Sequence, residues 1–121
     1  MIERVCWLAL MLLHVPPALA LVRPGQLVAL YGVDQASDTS VLMQHRAALF
    51  IMIVVICAWA AMRPETRTLA SVAVGISMGS FLIIWWASGM PAHLRTIAIA
   101  DLAGLPVLLF AAWQAVARAG A

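Results

Sequence analysis

Residues 45–88 read HRAALFIMIVVICAWAAMRPETRTLASVAVGISMGSFLIIWWAS, and the way this stretch divides decides the fold. Two apolar runs, His45 to Met62 and Thr68 to Ser88, flank the charged turn RPETR. Each is close to the ~20 residues that a helix needs to cross a bilayer core. Backbone amides in hydrocarbon must be satisfied within the segment, so two such runs joined by a tight polar turn predict a helical hairpin that crosses and returns.

Working outward, Val5 to Val22 and Thr96 to Ala117 are apolar runs of the same kind. The breaks carry turn chemistry: RPGQ from Arg23, GVDQASDTS from Gly32, and SGMPAHLR from Ser88. The chain has 121 residues, enough for one domain, and 65% of them are hydrophobic, which is too many for a soluble globular composition. The expected architecture is therefore an all-α membrane protein: a single domain over 1–121, built as a bundle of four transmembrane helices at about 5–22, 45–62, 68–88 and 96–117. Pro16-Pro17 should bend the first helix or hand it to an irregular segment. The short run QLVALYGV is expected at the interface, with Tyr31 at headgroup depth.

Residues 1–20 also imitate a secretory signal, ending in Ala18-Leu19-Ala20. Glu3 offsets Arg4 in the charged start, which weighs for retention; a processed three-helix protein is the alternative. All seven basic residues are arginine. With the N-terminus inside, Arg4, Arg63, Arg67 and Arg118 face Arg23, Arg46 and Arg95 across the membrane, so the positive-inside rule predicts N-in and C-in. Trp7, Trp59 and Trp113 then fall near the inner ends and Trp85-Trp86 near the outer end, as two aromatic belts.

The spread-out charge excludes a nucleic-acid footprint. Cys6 and Cys57 lack CxxC spacing and read as buried thiols. No GxSxG, HExxH, P-loop or GxGxxG sequence is present. Two histidines without a third spaced ligand fall short of a metal set, so neither a metal nor a cofactor is expected.

Two features remain. Ser71, Gly75 and Gly79 recur at every fourth position and share one face of the third helix, a packing motif that serves either the bundle interior or a homo-oligomer. Asp101 lies within TIAIADLAGLPVLLF, where a carboxylate is costly unless it is paired, solvated or used. His45 and Arg46 open the second helix on the same side, and His93 and Arg95 flank it from the third loop. An Arg46–Asp101 ion pair is the physical expectation, since a guanidinium fork matches a carboxylate. His14, deeper in the first helix, is expected to bond a neighbouring helix.

LYGV, MQHRAALF, SGMP and IADLAG together resemble small four-helix bacterial integral membrane proteins of unknown function. In that resemblance Arg46 matches an arginine at the start of the second helix and Asp101 an acidic position in the fourth. One such group carries a Gly-Arg pair where this chain reads Gly79-Ser80. The resemblance implies an architecture and a bacterial inner membrane, and no activity.

The leading expectation is an accessory or interaction protein that binds a lipid or other amphiphile at a polar outer mouth made of His45, Arg46, His93, Arg95 and Asp101. Two alternatives stand beside it. One is a small enzyme acting on a lipophilic substrate, with His45 as acid or base, Arg46 as anion stabiliser and Asp101 as orienter. The other is a transport or channel subunit formed by self-association.

Overall fold

The computed structural model describes residues 1–23, 29 and 38–120. The interfacial piece around Tyr31 and the loop with Asp34 lie outside the described residues.

Four helices account for most of the chain: α1 Ile2–Ala18, α2 Asp38–Met62, α3 Arg67–Ala87 and α4 Arg95–Ala119. Single 3-10 turns at Leu19–Leu21, Pro64–Thr66 and Ala92–Leu94 extend α1 and lead into α3 and α4. All four helices are long and apolar enough to cross a membrane, which suggests an integral membrane protein. The expected boundaries differ mainly at α2, which begins at Asp38, about two turns ahead of His45.

Both prolines of α1 lie inside the helix, which carries on to Ala18 before tightening into the 3-10 turn. Likewise α4 continues through Pro106. A helix tolerates proline within a membrane when neighbouring groups cover the freed carbonyls.

The helices alternate in direction. One end holds the start of α1, the Arg63–Arg67 turn and the end of α4, and is called the N/C end; the other is the far end. α1 packs along α2, α3 along α4, and α1 also meets α4, whereas the α2–α3 seam is the sparsest of the four. The core between them is formed by Trp7 and Leu10 of α1, Ile53 and Cys57 of α2, Val74 and Met78 of α3, and Leu108 and Ala111 of α4. A smaller cluster at the far end joins Ala20 and Ala47 with Leu94 and Ile97.

Trp7 corrects the expected aromatic belt. It is 0% exposed and central to the core, whereas Trp59, Trp86 and Trp113 lie exposed on the helix exteriors. Among the described residues its indole N–H has no hydrogen-bond acceptor.

The glycine that allows close approach is on α4. A Cβ at Gly104 would come within 2.7 Å of Leu13 Cδ2 and 2.8 Å of Met78 Cε, so α1 and α3 both press on this position. Gly75 faces Leu108 at 4.0 Å, and Gly79 meets nothing within 4 Å. Ser71 donates to the Arg67 carbonyl of its own helix at 2.7 Å. The small-residue face of α3 is therefore turned towards α4 at Gly75 but has room to spare there.

At the N/C end, a charge network ties the helices together. Arg67 is only 6% exposed. Its Nη1 donates to Glu3 Oε2, and its Nε donates to the Ala60 carbonyl at 2.9 Å. Arg118 Nη2 reaches Glu3 Oε1 at 2.6 Å from a more exposed position. One carboxylate on α1 thus holds arginines from α3 and α4, while the α3 arginine also satisfies a carbonyl left open at the end of α2.

Candidate functional site: a groove between α2 and α3

The sparse α2–α3 seam opens into a cavity of about 510 Å³. Arg46, Leu49, Phe50 and Ile53 line it from α2, a spacing of three and four that puts them on one helix face. From α3 come Ala73, Ile76, Ser77, Ser80, Phe81, Ile84 and Trp85, again a single stripe. Ser88, Pro91 and Leu94 complete the mouth at the far end.

The mouth takes its shape from local backbone bonding. After α3, Gly89 takes a positive φ of 83°, its N–H donates to the Trp86 carbonyl, and the N–H of Met90 donates to the Trp85 carbonyl at 2.9 Å. This is the paired bonding of a Schellman cap, in which glycine adopts the left-handed conformation at no steric cost. Met90 follows at a φ of 55° and Pro91 prevents the helix from resuming. Trp85 Nε1 then donates to the Pro91 carbonyl at 3.2 Å, pinning the indole into the groove wall.

Arg46 is the charge in this wall. Its guanidinium lies 5.3 Å from the ring centroid of Phe50 and 5.4 Å from that of Phe81, both within cation–π range. The contact with Phe81 sets its depth. Phe81 is six residues short of the end of α3, so Arg46 acts about 9 Å below that end. An arginine there is supported by aromatic faces, and its long stem lets the head reach towards the interface.

The expected polar mouth is brought together only in part. No ion pair within 4 Å joins Arg46 to Asp101. Asp101 is half-buried on the inward stripe of α4, between Ala98 and Gly104. His45, His93 and Arg95 are exposed and stand outside the groove lining. His14 is buried, with its ring 5.8 Å from that of Phe50. Its Nδ1 donates to the Leu10 carbonyl at 2.7 Å, so the bond stays within α1 and does not reach a neighbouring helix. Among the described residues no three His, Cys, Asp or Glu side chains converge to hold a metal ion.

Sequence reasoning missed Phe50, Phe81, Ser77 and Ser80 as groove residues. A faint signal existed for the serines: both are polar in an otherwise apolar run and share the face of Phe81 and Trp85. Nothing in sequence separates Phe50 from a lipid-facing aromatic. No protein family, no curated protein and no solved structure matches this chain.

Proposed function

We propose that this chain is a non-enzymatic membrane protein that binds a lipid or other amphiphile in the α2–α3 groove. The observation that carries this reading is the groove itself: about 510 Å³, within the size range of small-molecule sites, walled by apolar and aromatic side chains with one guanidinium among them. Apolar walls suit a hydrocarbon tail, and Arg46 suits an anionic head. A guanidinium offers five donors, so contact with a ligand is compatible with other bonds made by the same side chain. In this reading Arg95 contributes positive charge around the mouth rather than a direct contact, and His93 lies outside the groove lining.

The protein crosses a bacterial cytoplasmic membrane four times, with the N/C end inside. The arginine excess at that end supports this orientation, and the resemblance to small bacterial membrane proteins supports the compartment. The groove mouth then opens in the outer leaflet.

The test is native mass spectrometry of protein extracted from its own membrane. A bound amphiphile is expected on the wild type, and Ser77→Phe, which fills the groove from α3, should reduce its occupancy at least about tenfold, the effect of a lost contact worth 1.4 kcal/mol. Equal retention by the filled variant would refute the groove as the site.

A further inference from the structure

A second pocket opens between α3 and α4 at the N/C end, and we infer that it holds the phosphate of an anionic phospholipid headgroup. It is separate from the α2–α3 groove, and neither site depends on the other. The first turn of α3 supplies Arg67 and Thr68, the last turns of α4 supply Ala115, Arg118 and Ala119, and Glu65 joins from the turn before α3. Ala115 and Ala119 lie one helical turn apart on the same face, and their small side chains leave the space open.

The donors of Arg67 are only partly used. Its Nε donates to the Ala60 carbonyl and its Nη1 to Glu3, whereas Nη2 makes no bond among the described residues. A guanidinium nitrogen shut away from water without an acceptor is costly. Nη2 is not shut away: among the described residues the one fully buried side-chain nitrogen or oxygen without a partner is Trp7 Nε1. Arg67 lines this pocket and not the groove, so the pocket is the space its unbonded N–H groups can reach. Arg118 contributes in the same way. One of its nitrogens, Nη2, is held by Glu3, and the rest of its fork has no partner among the described residues.

The charges are unbalanced in favour of an anion. Glu3 is a single carboxylate shared by two guanidinium groups, so Arg67 and Arg118 keep an excess of one positive charge. Glu65 is the one carboxylate in the wall, and Arg63 offsets it at 3.8 Å. Two partly used guanidinium forks and the Thr68 hydroxyl suit a ligand with several acceptor oxygens, which is what a phosphate offers.

The depth of the pocket ties that phosphate to a lipid. Arg67 opens α3 and Arg118 is next to last in α4, so both stand at the ends of helices long enough to span, where headgroups lie. One turn along from Thr68, Val72 is exposed, and Val116 is exposed beside Ala115. A lipid with its phosphate in the pocket can lay its chains on this apolar surface, which a soluble anion leaves unused. Basic pockets between spanning helices are recognised by anionic headgroups in this way.

The test is native mass spectrometry of the delipidated full chain in a neutral detergent, titrated with phosphatidylglycerol or phosphatidylcholine of the same acyl chains. Phosphatidylglycerol should bind at least about fivefold more tightly. Arg118→Gln should weaken phosphatidylglycerol about fivefold, the worth of one arginine at a membrane surface, and leave phosphatidylcholine unchanged. Ala119→Phe, at the exposed last position of α4, fills the pocket and should abolish the preference, whereas Ser77→Phe in the groove should preserve it. Neither Arg118→Gln nor Ala119→Phe removes a partner from the buried Arg67–Glu3 pair.

Equal binding of the two lipids by the wild type would overturn the inference without any variant. A preference that survives both Arg118→Gln and Ala119→Phe would overturn it too, and its loss in Ser77→Phe would move the anion site to the groove. Inorganic phosphate separates the two sources of the anion. Ammonium phosphate at low millimolar concentration, against ammonium acetate of equal ionic strength, should leave phosphatidylglycerol bound; displacement would assign the pocket to a soluble anion and overturn the lipid.

Discussion

Replacing Glu3 by glutamine should be the most damaging single-atom-scale change in the charge network at the N/C end. The substitution keeps the shape of the side chain and removes its charge, leaving the Arg67 guanidinium at 6% exposure without a counter-charge. Breaking a buried pair by removing one partner costs about 3–5 kcal/mol. The lower end, about 3 kcal/mol, applies here, since Arg67 keeps its 2.9 Å bond to the Ala60 carbonyl and sits near a helix end. Arg118→Gln removes a contact of similar geometry, 2.6 Å to Glu3 Oε1, but its side chain is 64% exposed and solvent screens it. That loss should stay below about 1 kcal/mol. Combining Glu3→Gln with Arg67→Met removes both buried charges and should recover most of the damage, leaving about 1 kcal/mol for the orphaned Ala60 carbonyl. Reversible unfolding in mixed micelles, run as a double-mutant cycle, measures all of these. A Glu3→Gln loss under 1 kcal/mol, or losses that simply add in the double variant, would refute the buried-pair account.

Three further outcomes are expected. Gly104→Ala should destabilise by about 1–3 kcal/mol in the same unfolding assay, because the new methyl meets Leu13 and Met78 at under 3 Å, while Gly79→Ala should be neutral or stabilise by up to about 1 kcal/mol. A stability cycle on Arg46→Gln and Asp101→Asn should give a coupling below about 1 kcal/mol, since no ion pair within 4 Å joins them; a coupling of about 2 kcal/mol or more would reinstate a direct pair. Single cysteines at the exposed positions Glu65 and His93 should label from opposite faces of intact cells' inner membrane, with His93 accessible from outside; the reverse pattern would invert the orientation.

The number and rough extent of the helices were legible in the chain, because a bilayer imposes a length and composition that no tertiary contact can alter. RPETR and SGMP marked reversals through proline, glycine and charge, and both are turns in the structure. Asp101 and Arg46 could be singled out for the same reason: a charge inside an apolar run is an anomaly in sequence. What sequence does not carry is the rotation of each helix about its axis. In water a helix reveals its inner face by polarity, but in lipid both faces are apolar, so Trp7 in the core and Trp113 on the exterior look alike. Only packing decided that Glu3 and Arg67, 64 residues apart, would meet, and that Asp101 and Arg46 would not. The groove has the same origin. It exists because α1 and α4 draw their neighbours close at Gly104 while α2 and α3 stay apart, a relation among four helices that no local run of residues encodes.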